Sequence, residues 1–334
     1  MRVHRNAAAG CALLFTLATA GCAGQDGTTD AAPASPSGSS APTTAYAPYV
    51  SATTASGTDT AGSPTAYNLA FVISSSDGDC TPRWNGVQDI DDASVASRVA
   101  KLTESGATVR VSFGGASGTE LAAACDSASA LAAAYGTALD AAGSTRADFD
   151  IEGDALTDAG SVALRSEAIA LLQEQRDGLE VSFTLPVMPS GLDTDGLALL
   201  ASANDHGVQV STVNLMTMNY GESYTDDMGD YAVTSAKAAH TQLRKVFGTS
   251  DADAWRGMAL TSMLGVNDVA GETFTLADAA EVRAFAEEKG IAWVSMWAAF
   301  RDKRCAEDAP ATDALTACSG VAQEDGAFGT AFGA

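Results

Sequence analysis

The stretch ADFDIEG, residues 147–153, decides how the rest of the chain is interpreted. As a β-strand it sends Asp148, Asp150 and Glu152 to one face and the apolar residues between them to the other. Successive carboxylates start about 6–7 Å apart at their Cα atoms, so we expect at least one to hold a proton near neutral pH. Unpaired buried charges cost folding free energy. An active site is therefore favoured over the alternative, a solvated acidic edge strand.

From Ala45 onward the chain alternates apolar runs with Ala-rich helical segments. The predicted strands are Ala47–Ala52, Asn68–Ser74, Val109–Gly115, Ala147–Glu152, Leu179–Pro186, Val213–Tyr220, Met258–Gly265 and Ile291–Ala298. The clearest predicted helices are Ala122–Ala142, Ser161–Gln175, Ser235–Val246 and Leu276–Glu288. Eight strand–helix repetitions predict a (β/α)8 TIM barrel of the α/β class, with its chemistry at the carboxyl ends of the strands. An open doubly wound sheet is the alternative, but it would more naturally use five to seven strands, and no G-x-G-x-x-G follows the first strand.

The first 21 residues are predicted to be a signal peptide, because Arg2 and Arg5 precede a short apolar run. The sequence TAGC at residues 19–22 resembles a bacterial lipobox, which makes Cys22 a candidate lipid anchor; ordinary signal-peptidase cleavage nearby is the alternative. Residues 22–44 form a predicted Gly/Ser/Thr/Pro-rich tether, and 45–334 a catalytic domain. We therefore expect an extracellular protein or a cell-surface lipoprotein.

Composition excludes several partners. The 334 residues carry a net charge of −24 and show no basic patch, so nucleic-acid binding is not expected. The three histidines do not stand at ligand spacing with a cysteine, so neither a metal nor another cofactor is predicted. We expect a monomer.

The ends of the other predicted strands carry further candidates. SFGG at residues 112–115 ends the third strand, and its glycines permit close backbone approach. The sixth strand, extended to Tyr220, would place Met216, Met218 and Tyr220 on one face. In the eighth strand, Trp297 lies nearest the carboxyl end, whereas the deeper Trp293 is interpreted as a core residue.

Together, SFGG at 112–115, DFDIE at 148–152, MNY at 218–220 and the terminal Trp297 resemble the chitinases of glycoside hydrolase family 18. The resemblance covers residues 45–305 and is strongest to bacterial members whose eighth strand continues into an Arg-Asp pair, here at 301–302. It implies hydrolysis of β-1,4 linkages in chitin or chito-oligosaccharides by a retaining mechanism in which the substrate's own N-acetyl group assists.

The resemblance also implies roles for individual residues. Glu152 would be the general acid, and Asp150 would orient the acetamide and stabilise the oxazolinium intermediate. Asp148 would share a proton or hydrogen bond with Asp150, and Tyr220 would donate a hydrogen bond to the acetamide oxygen. Ser112 would belong to the network below Asp148.

Three more residues would contact the sugar. Trp297 would form an aromatic floor beneath the ring, and Met218 and Asn219 would belong to the subsite wall. Two departures from the family pattern stand out: residues 145–146 are Thr-Arg where longer signatures have Asp-Gly, and Asn219 stands where the bacterial subgroup usually has Asp. The second is expected to alter the pH profile or the rate. Two other functions are open. An endo-β-N-acetylglucosaminidase acting on N-glycans would keep the same acidic trio, whereas a chitin-binding lectin would keep the aromatic floor but should lack the acid.

Apart from Cys11 in the leader and the candidate anchor Cys22, four cysteines remain: Cys80, Cys125, Cys305 and Cys318. An even number in an exported chain predicts two disulfides. Sequence alone permits three pairings. We favour Cys305–Cys318, which closes a short loop after the eighth strand, and hence Cys80–Cys125.

Overall fold

The computed structural model describes residues 43–75 and 78–333. The predicted signal peptide, Cys22 and the tether up to residue 42 lie outside the described residues. The strands are β1 (Ala45–Tyr46), β2 (Tyr49–Ser51), β3 (Ala66–Ser74), β4 (Pro82–Trp84), β5 (Gln88–Asp89), β6 (Thr108–Gly114), β7 (Arg146–Asp150), β8 (Glu180–Pro186), β9 (Val210–Met216), β10 (Met258–Met263), β11 (Gly265–Val266), β12 (Thr273–Phe274) and β13 (Trp293–Trp297). The α-helices are α1 (Ala93–Thr103), α2 (Ala128–Ala142), α3 (Asp154–Thr157), α4 (Ala159–Gln175), α5 (Thr194–Asp205), α6 (Met228–Phe247), α7 (Asp251–Arg256), α8 (Leu276–Lys289), α9 (Asp313–Thr316) and α10 (Ala327–Gly333).

Eight parallel strand positions form a ring, as the strand–helix alternation predicts. Strands β3, β6, β7, β8, β9, β10 and β13 pair in that order. The remaining position is filled by β1 and β2 in succession, since β1 pairs with β13 and β2 with β3. Backbone hydrogen bonds of 3.0 Å from Ala47 N–H to Val294 and from Asn68 N–H to Pro48 continue the pairing on each side. Pro48, between the two pieces, has no amide hydrogen with which to extend the ladder. The TIM-barrel prediction is confirmed.

The eight predicted strands all occur, but some bounds differ. The fourth strand ends at Asp150, two residues before Glu152. The sixth ends at Met216 rather than Tyr220. The predicted helix 122–142 is divided, because a 3-10 turn over Leu121–Ala123 precedes α2, which begins after its N-cap Ser127.

The outward face of β7 packs into the core between strands and helices. Phe149 is fully buried against Phe113 and Tyr135, with ring centroids 5.3 Å and 5.0 Å apart. Ile151 is also fully buried. This apolar anchoring fixes which way the strand faces, so the alternating carboxylates must point into the barrel.

The two disulfides have the favoured pairing. Cys80, between β3 and β4, is bonded to Cys125, between the 3-10 turn and α2, with Cα atoms 4.6 Å apart. Cys305 is bonded to Cys318 in the segment after β13. Both bridges therefore brace loops at the carboxyl end of the barrel. No helix within the described residues has the length and apolarity to cross a membrane.

Candidate active site

A cleft opens at the carboxyl ends of the strands. Its walls come from β2, β3, β7, β8, β9, β10 and β13 and from the segments that follow β6, β7, β9 and β11. The residues lining it are Tyr49, Phe71, Ala116, Asp150, Glu152, Thr184, Pro186, Met216, Met218, Asn219, Thr261, Asp268 and Trp297.

Asp148 lies below the cleft at 1% exposure and accepts hydrogen bonds from four hydroxyl groups. Tyr49 and Ser112 donate to Oδ2 at 2.9 and 2.7 Å, and Ser182 and Thr184 donate to Oδ1 at 2.7 and 2.8 Å. Hydrogen bonds to an ionised carboxylate are stronger than those between neutral groups, so this cradle stabilises a buried charge. The buried guanidinium of Arg110 adds a favourable charge interaction with Asp148. The predicted role of Ser112 in the network below Asp148 agrees with this geometry.

A chain of hydrogen bonds orients the cradle from the far side of the barrel. Thr261 donates to the side-chain oxygen of Asn214, and the Asn214 amide donates to the Thr184 hydroxyl, each at 2.9 Å. Thr184 then donates to Asp148. Because these residues belong to β10, β9, β8 and β7 in turn, four neighbouring strands fix one carboxylate.

Asp150 is 5% exposed, and its Oδ1 atom has no hydrogen-bond partner within the described chain. Burial, followed by the charges of Glu152 and Asp148, raises the pKa of Asp150 well above its ordinary value. The raised pKa favours the protonated form of Asp150, the direction expected from the carboxylate spacing. A buried carboxyl oxygen without a partner, on a residue that lines a cleft, can take up a polar group of a ligand.

The backbone around Asp150 explains the glycines of SFGG. Gly114 has φ +97°, and a Cβ there would lie 2.2 Å from the carbonyl oxygen of Asp150. Gly115 donates its N–H to the same oxygen at 2.9 Å. Only glycine permits this close approach at the third strand's end, so the motif positions the neighbouring carboxylate.

Glu152 is half-buried beyond the end of β7, where it lines the cleft. The N–H of Ile151 donates to the carbonyl of Thr184, and Gly153 at φ +56° turns the chain into α3. Burial, and then the charge of Asp268, raise the pKa of Glu152. A carboxyl group with a raised pKa at a cleft surface can donate a proton near neutral pH.

Tyr220 lies outside the cleft, and the prediction that places it beside Met216 and Met218 is wrong. The alternation fails because β9 ends at Met216 and Asn219 takes φ +54°. Tyr220 is 4% exposed and packs against Tyr224, and its hydroxyl accepts a hydrogen bond from Ser235 at 3.4 Å.

Met218 and Asn219 both line the cleft and are partly exposed.

An aromatic group closes the cleft on the side of β13. Trp297 is partly exposed and stacks on Phe71 with ring centroids 5.4 Å apart, and Tyr49 meets its edge at 5.9 Å. Trp293 is buried deeper in the barrel beneath the guanidinium of Arg110, 4.1 Å from its ring centroid. The structure therefore separates the two tryptophans as predicted, one at the cleft and one in the core.

The side chains of the Arg-Asp pair at 301–302 hydrogen-bond to other parts of the chain and are not among the residues that line the cleft. Fully buried Arg301 donates to three backbone carbonyls, those of Trp297, Val266 and Ala314. Buried Asp302 accepts from the backbone N–H groups of Phe328 and Gly329 and from Gln323. The pair joins the end of β13 to surrounding loops.

Tyr49, Thr184 and Asp268 belong to the site but were not identified from the sequence. Tyr49 could have been found, since alternation along the first strand puts it on one face with Ala47 and Ser51. The other two lie on elements whose proximity to β7 depends on tertiary structure.

The charges in the cleft share one sign. Among the described residues that line it, the titratable ones are Asp150, Glu152, Asp268 and Tyr49, and none is Lys, Arg or His. No group of three or more His, Cys, Asp or Glu in the described ranges could hold a metal ion.

Comparison with curated proteins gives two relatives. A protein of Escherichia coli (strain K12) named "Probable bifunctional chitinase/lysozyme" is 33% identical over 275 residues, which cover 77% of this chain and 31% of the relative. "Endochitinase 11" of Metarhizium anisopliae is 32% identical over 275 residues, covering 77% of this chain and 52% of the relative. The chain thus spans about a third to a half of their lengths. No family model matches the chain.

Among solved structures, the catalytic domain of a hyperthermophilic chitinase from Pyrococcus furiosus has a TM-score of 0.76 and 28% sequence identity. The match covers 87% of this chain and 94% of that one. Catalytic-site mutants of active domain 2 of the thermostable chitinase from the same organism, solved with chito-oligosaccharides, match equally well.

Proposed function

Since its relatives in sequence and in structure are named chitinases, we propose that this chain is a glycoside hydrolase that cleaves β-1,4 linkages between N-acetylglucosamine units. The observation that carries the proposal is the pair of carboxyl groups at the end of β7. Glu152, with its raised pKa, faces the cleft beside Asp150, whose Oδ1 has no partner in the described chain.

The first step breaks the glycosidic bond. Glu152 transfers its proton to the linking oxygen, which leaves with the C1–O electron pair. The carbonyl oxygen of the substrate's own N-acetyl group bonds to C1, so that positive charge moves onto the oxazolinium ring. Asp150 orients the acetamide, and the negative charge of the Asp148–Asp150 pair stabilises the ring. Tyr220 has no part in this scheme, because its buried hydroxyl pairs with Ser235 and it is not among the residues that line the cleft.

The second step restores the enzyme. Glu152, now a carboxylate, takes a proton from water while the water oxygen attacks C1 and the acetamide oxygen leaves. Two inversions at one carbon give net retention of configuration. Trp297 presents its face to the apolar side of the ring throughout. Met218 and Asn219 contact the sugar from the opposite wall.

The charge of the cleft bears on the substrate. Three carboxyl groups line it, and no cationic side chain accompanies them among the described lining residues. Anionic glycans such as the muramic-acid strands of peptidoglycan would meet like charge there, whereas chito-oligosaccharides are neutral. The cleft thus favours chitin over a lysozyme substrate.

Digestion of defined substrates tests the proposal. Purified protein is incubated separately with N-acetylglucosamine tetramer and hexamer, an N-glycosylated protein and peptidoglycan, and the products are separated by mass. Cleavage of the oligomers to shorter N-acetylglucosamine chains supports a chitinase. Cleavage of N-glycans in their place would indicate an endo-β-N-acetylglucosaminidase, and binding without cleavage would indicate a lectin.

The proposed setting is outside the cell, as a monomeric secreted protein or a bacterial lipoprotein anchored at Cys22. The sequence TAGC at 19–22 and the polar tether support this proposal. Mass spectrometry of the mature N-terminus tests it: a diacylated Cys22 is expected, and an unmodified terminus elsewhere would rule the anchor out. Light scattering tests the monomer.

A further inference from the structure

Asp268 is an exposed carboxylate in the loop between β11 and β12, and it lines the cleft together with Glu152. Neither the acidic motif nor the aromatic floor includes it. It follows the seventh barrel strand, whereas Glu152 follows the fourth, so the two meet only across the opening of the barrel.

Asn219 holds the Asp268 loop in three ways. Its side-chain oxygen accepts from the backbone N–H groups of Asp268 and Val269 at 3.0 and 3.3 Å, and its amide donates to Oδ2 of Asp268 at 3.3 Å. An amide can accept and donate at once, whereas a carboxylate can only accept. Asp at position 219 would lose the donor and place a second negative charge against Asp268.

The backbone of Asn219 is held in turn by the same hairpin. Gly221 N–H donates to the buried carboxyl of Glu272 at 2.8 Å, just before β12. Asn219 itself takes φ +54°, a conformation that Asn adopts more readily than most residues. The loops after β9 and β11 therefore form one braced unit, and Asp268 has a fixed place within it.

Asp268 carries the negative charge near Glu152 that a single substitution can remove. The other titratable groups near Glu152 are Asp148 and Asp150 on β7 and Tyr49 on β2. The charge of Asp148 is already met by four hydroxyl donors, and burial raises the pKa of both Asp150 and Tyr49, which favours their neutral forms. Asp268 accepts one side-chain hydrogen bond, from the Asn219 amide, and its charge raises the pKa of Glu152 after burial. The cation that faces Asp268 is the buried Arg301 guanidinium, because the charge of Asp268 opposes the lowering of the Arg301 pKa by burial.

A more distant acid, Glu120, is matched within its own cluster. Its carboxylate pairs with the buried guanidinium of Arg165 at 2.7 Å and accepts from Tyr135 and the N–H of Ala122. The negative charge of Glu120 is thus compensated by Arg165 and by these hydrogen bonds.

We propose that Asp268, held in place by Asn219, is a positioning residue whose carboxylate keeps Glu152 protonated between turnovers. The inference rests on the acid role proposed above for Glu152. The loop after β9 supplies a neutral amide at position 219, and the loop after β11 supplies the negative charge. The like charge of Asp268 disfavours the carboxylate form of Glu152 and so extends the pH range in which the acid is loaded.

A titration that requires no turnover tests the proposal. The full chain is labelled with glutamate bearing 13C at the side-chain carboxyl, and the Glu152 signal is assigned by its loss in Glu152→Gln. The midpoint of that signal is then compared between wild type and Asp268→Asn, which keeps an oxygen to accept the Asn219 amide. The midpoint is expected at lower pH in the variant. An unchanged midpoint would overturn the proposal.

Matched variants separate position from charge. Asp177→Asn removes one exposed carboxylate outside the cleft and should leave the Glu152 midpoint unchanged. Asn219→Ala should lower the midpoint, because Asp268 loses its anchor, and the double variant with Asp268→Asn should equal Asp268→Asn alone. Independent, additive shifts would contradict the coupling between the two residues.

Where chitin is cleaved, the alkaline limb of the plot of kcat against pH should move in the same direction as the Glu152 midpoint. A chain that cleaves no chitin counts against the proposed function alone.

Discussion

The phenolic hydroxyl of Tyr49 donates a 2.9 Å hydrogen bond to Oδ2 of Asp148, joining the first barrel strand to the fourth across the interior. Burial, and then the charges of Asp148 and Asp150, raise the pKa of Tyr49 well above its ordinary value. The hydroxyl therefore remains a donor wherever the protein is folded. It is one of the four hydroxyl donors that stabilise the buried carboxylate of Asp148 beneath the cleft.

Tyr49→Phe is expected to lower both stability and activity. The ring keeps its contacts with Phe71 and Trp297, but Asp148 loses one donor, a change worth about 1.5–3 kcal/mol for a hydrogen bond to a charged group. Because Asp148 supports Asp150 in the proposed mechanism, kcat should fall roughly tenfold, equivalent to about 1.4 kcal/mol. Urea unfolding and steady-state kinetics on a chito-oligosaccharide measure the two effects.

Tyr46→Phe provides the matched control for that variant. Tyr46 belongs to the preceding strand segment and is equally buried, but its hydroxyl has no hydrogen-bond partner in the described structure. Its removal should leave activity unchanged and stability unchanged or slightly higher. Equal losses in the two variants would mean that packing, rather than the bond to Asp148, explains the effect.

Asp150→Asn should stabilise the fold increasingly as pH rises. Folding raises the pKa of the Asp150 carboxyl. Such a group begins to destabilise the folded protein when the pH exceeds its unfolded pKa, and the loss grows until the pH has passed the raised folded pKa. Asparagine cannot ionise. Stability of the two proteins should therefore agree near pH 4 and differ by about 0.5–2 kcal/mol at pH 8, the usual size of a stabilising substitution. A gain of the same size at every pH would contradict this explanation.

The two disulfides should differ in their contributions to stability. Cys80–Cys125 spans 45 positions and Cys305–Cys318 spans 13. Loop-closure entropy in the unfolded chain predicts about 4 kcal/mol for the longer loop and about 3 kcal/mol for the shorter one. Paired Cys→Ala variants followed by chemical unfolding measure the difference. A larger loss on removing Cys305–Cys318 would show that folded-state contacts outweigh chain entropy.

The sequence predicted the parts of the site that depend on local periodicity. Alternation along residues 147–153 places Phe149 in the core and the three carboxylates at the interior, and the order of strands places Trp297 at the opening. The same alternation failed at Tyr220, because β9 ends at Met216 and the chain then takes a positive φ at Asn219, neither of which composition indicates.

Partners distant in sequence could not be predicted in the same way. Tyr49 and Asp148 are separated by 99 positions, and Asn219 and Asp268 by 49. Their contacts depend on barrel closure and on the hairpin after β10. Neither barrel closure nor the hairpin leaves a periodic pattern in the sequence. The hydroxyl donors around Asp148 and the position of Asp268 in the cleft are therefore visible only in the folded structure.

Glu152→Gln and Asp150→Asn are expected to impair catalysis in different ways. Glutamine keeps the shape of Glu152 but cannot donate a proton to the leaving oxygen, so kcat should fall roughly a hundredfold or more while oligosaccharide binding is retained. Asp150→Asn should also lower kcat, because the acetamide is no longer held by an ionisable carboxyl and the positive charge of the intermediate is not matched. Steady-state kinetics and calorimetric binding of a chito-oligosaccharide measure both changes.

A substrate with a good leaving group distinguishes the two roles. A nitrophenolate departs with little protonation, so an aryl glycoside of chitobiose should restore bond cleavage in Glu152→Gln, and the released nitrophenolate is followed by its absorbance in single-turnover experiments. Asp150→Asn should gain no comparable benefit, since a better leaving group supplies neither the orientation of the acetamide nor the negative charge that matches the oxazolinium ring as it forms. Equal rescue of both variants would remove the roles assigned here. Near-wild-type activity of Glu152→Gln on chito-oligosaccharides would remove the catalytic interpretation of β7 itself, because Glu152 is the proposed proton donor and its pKa is raised.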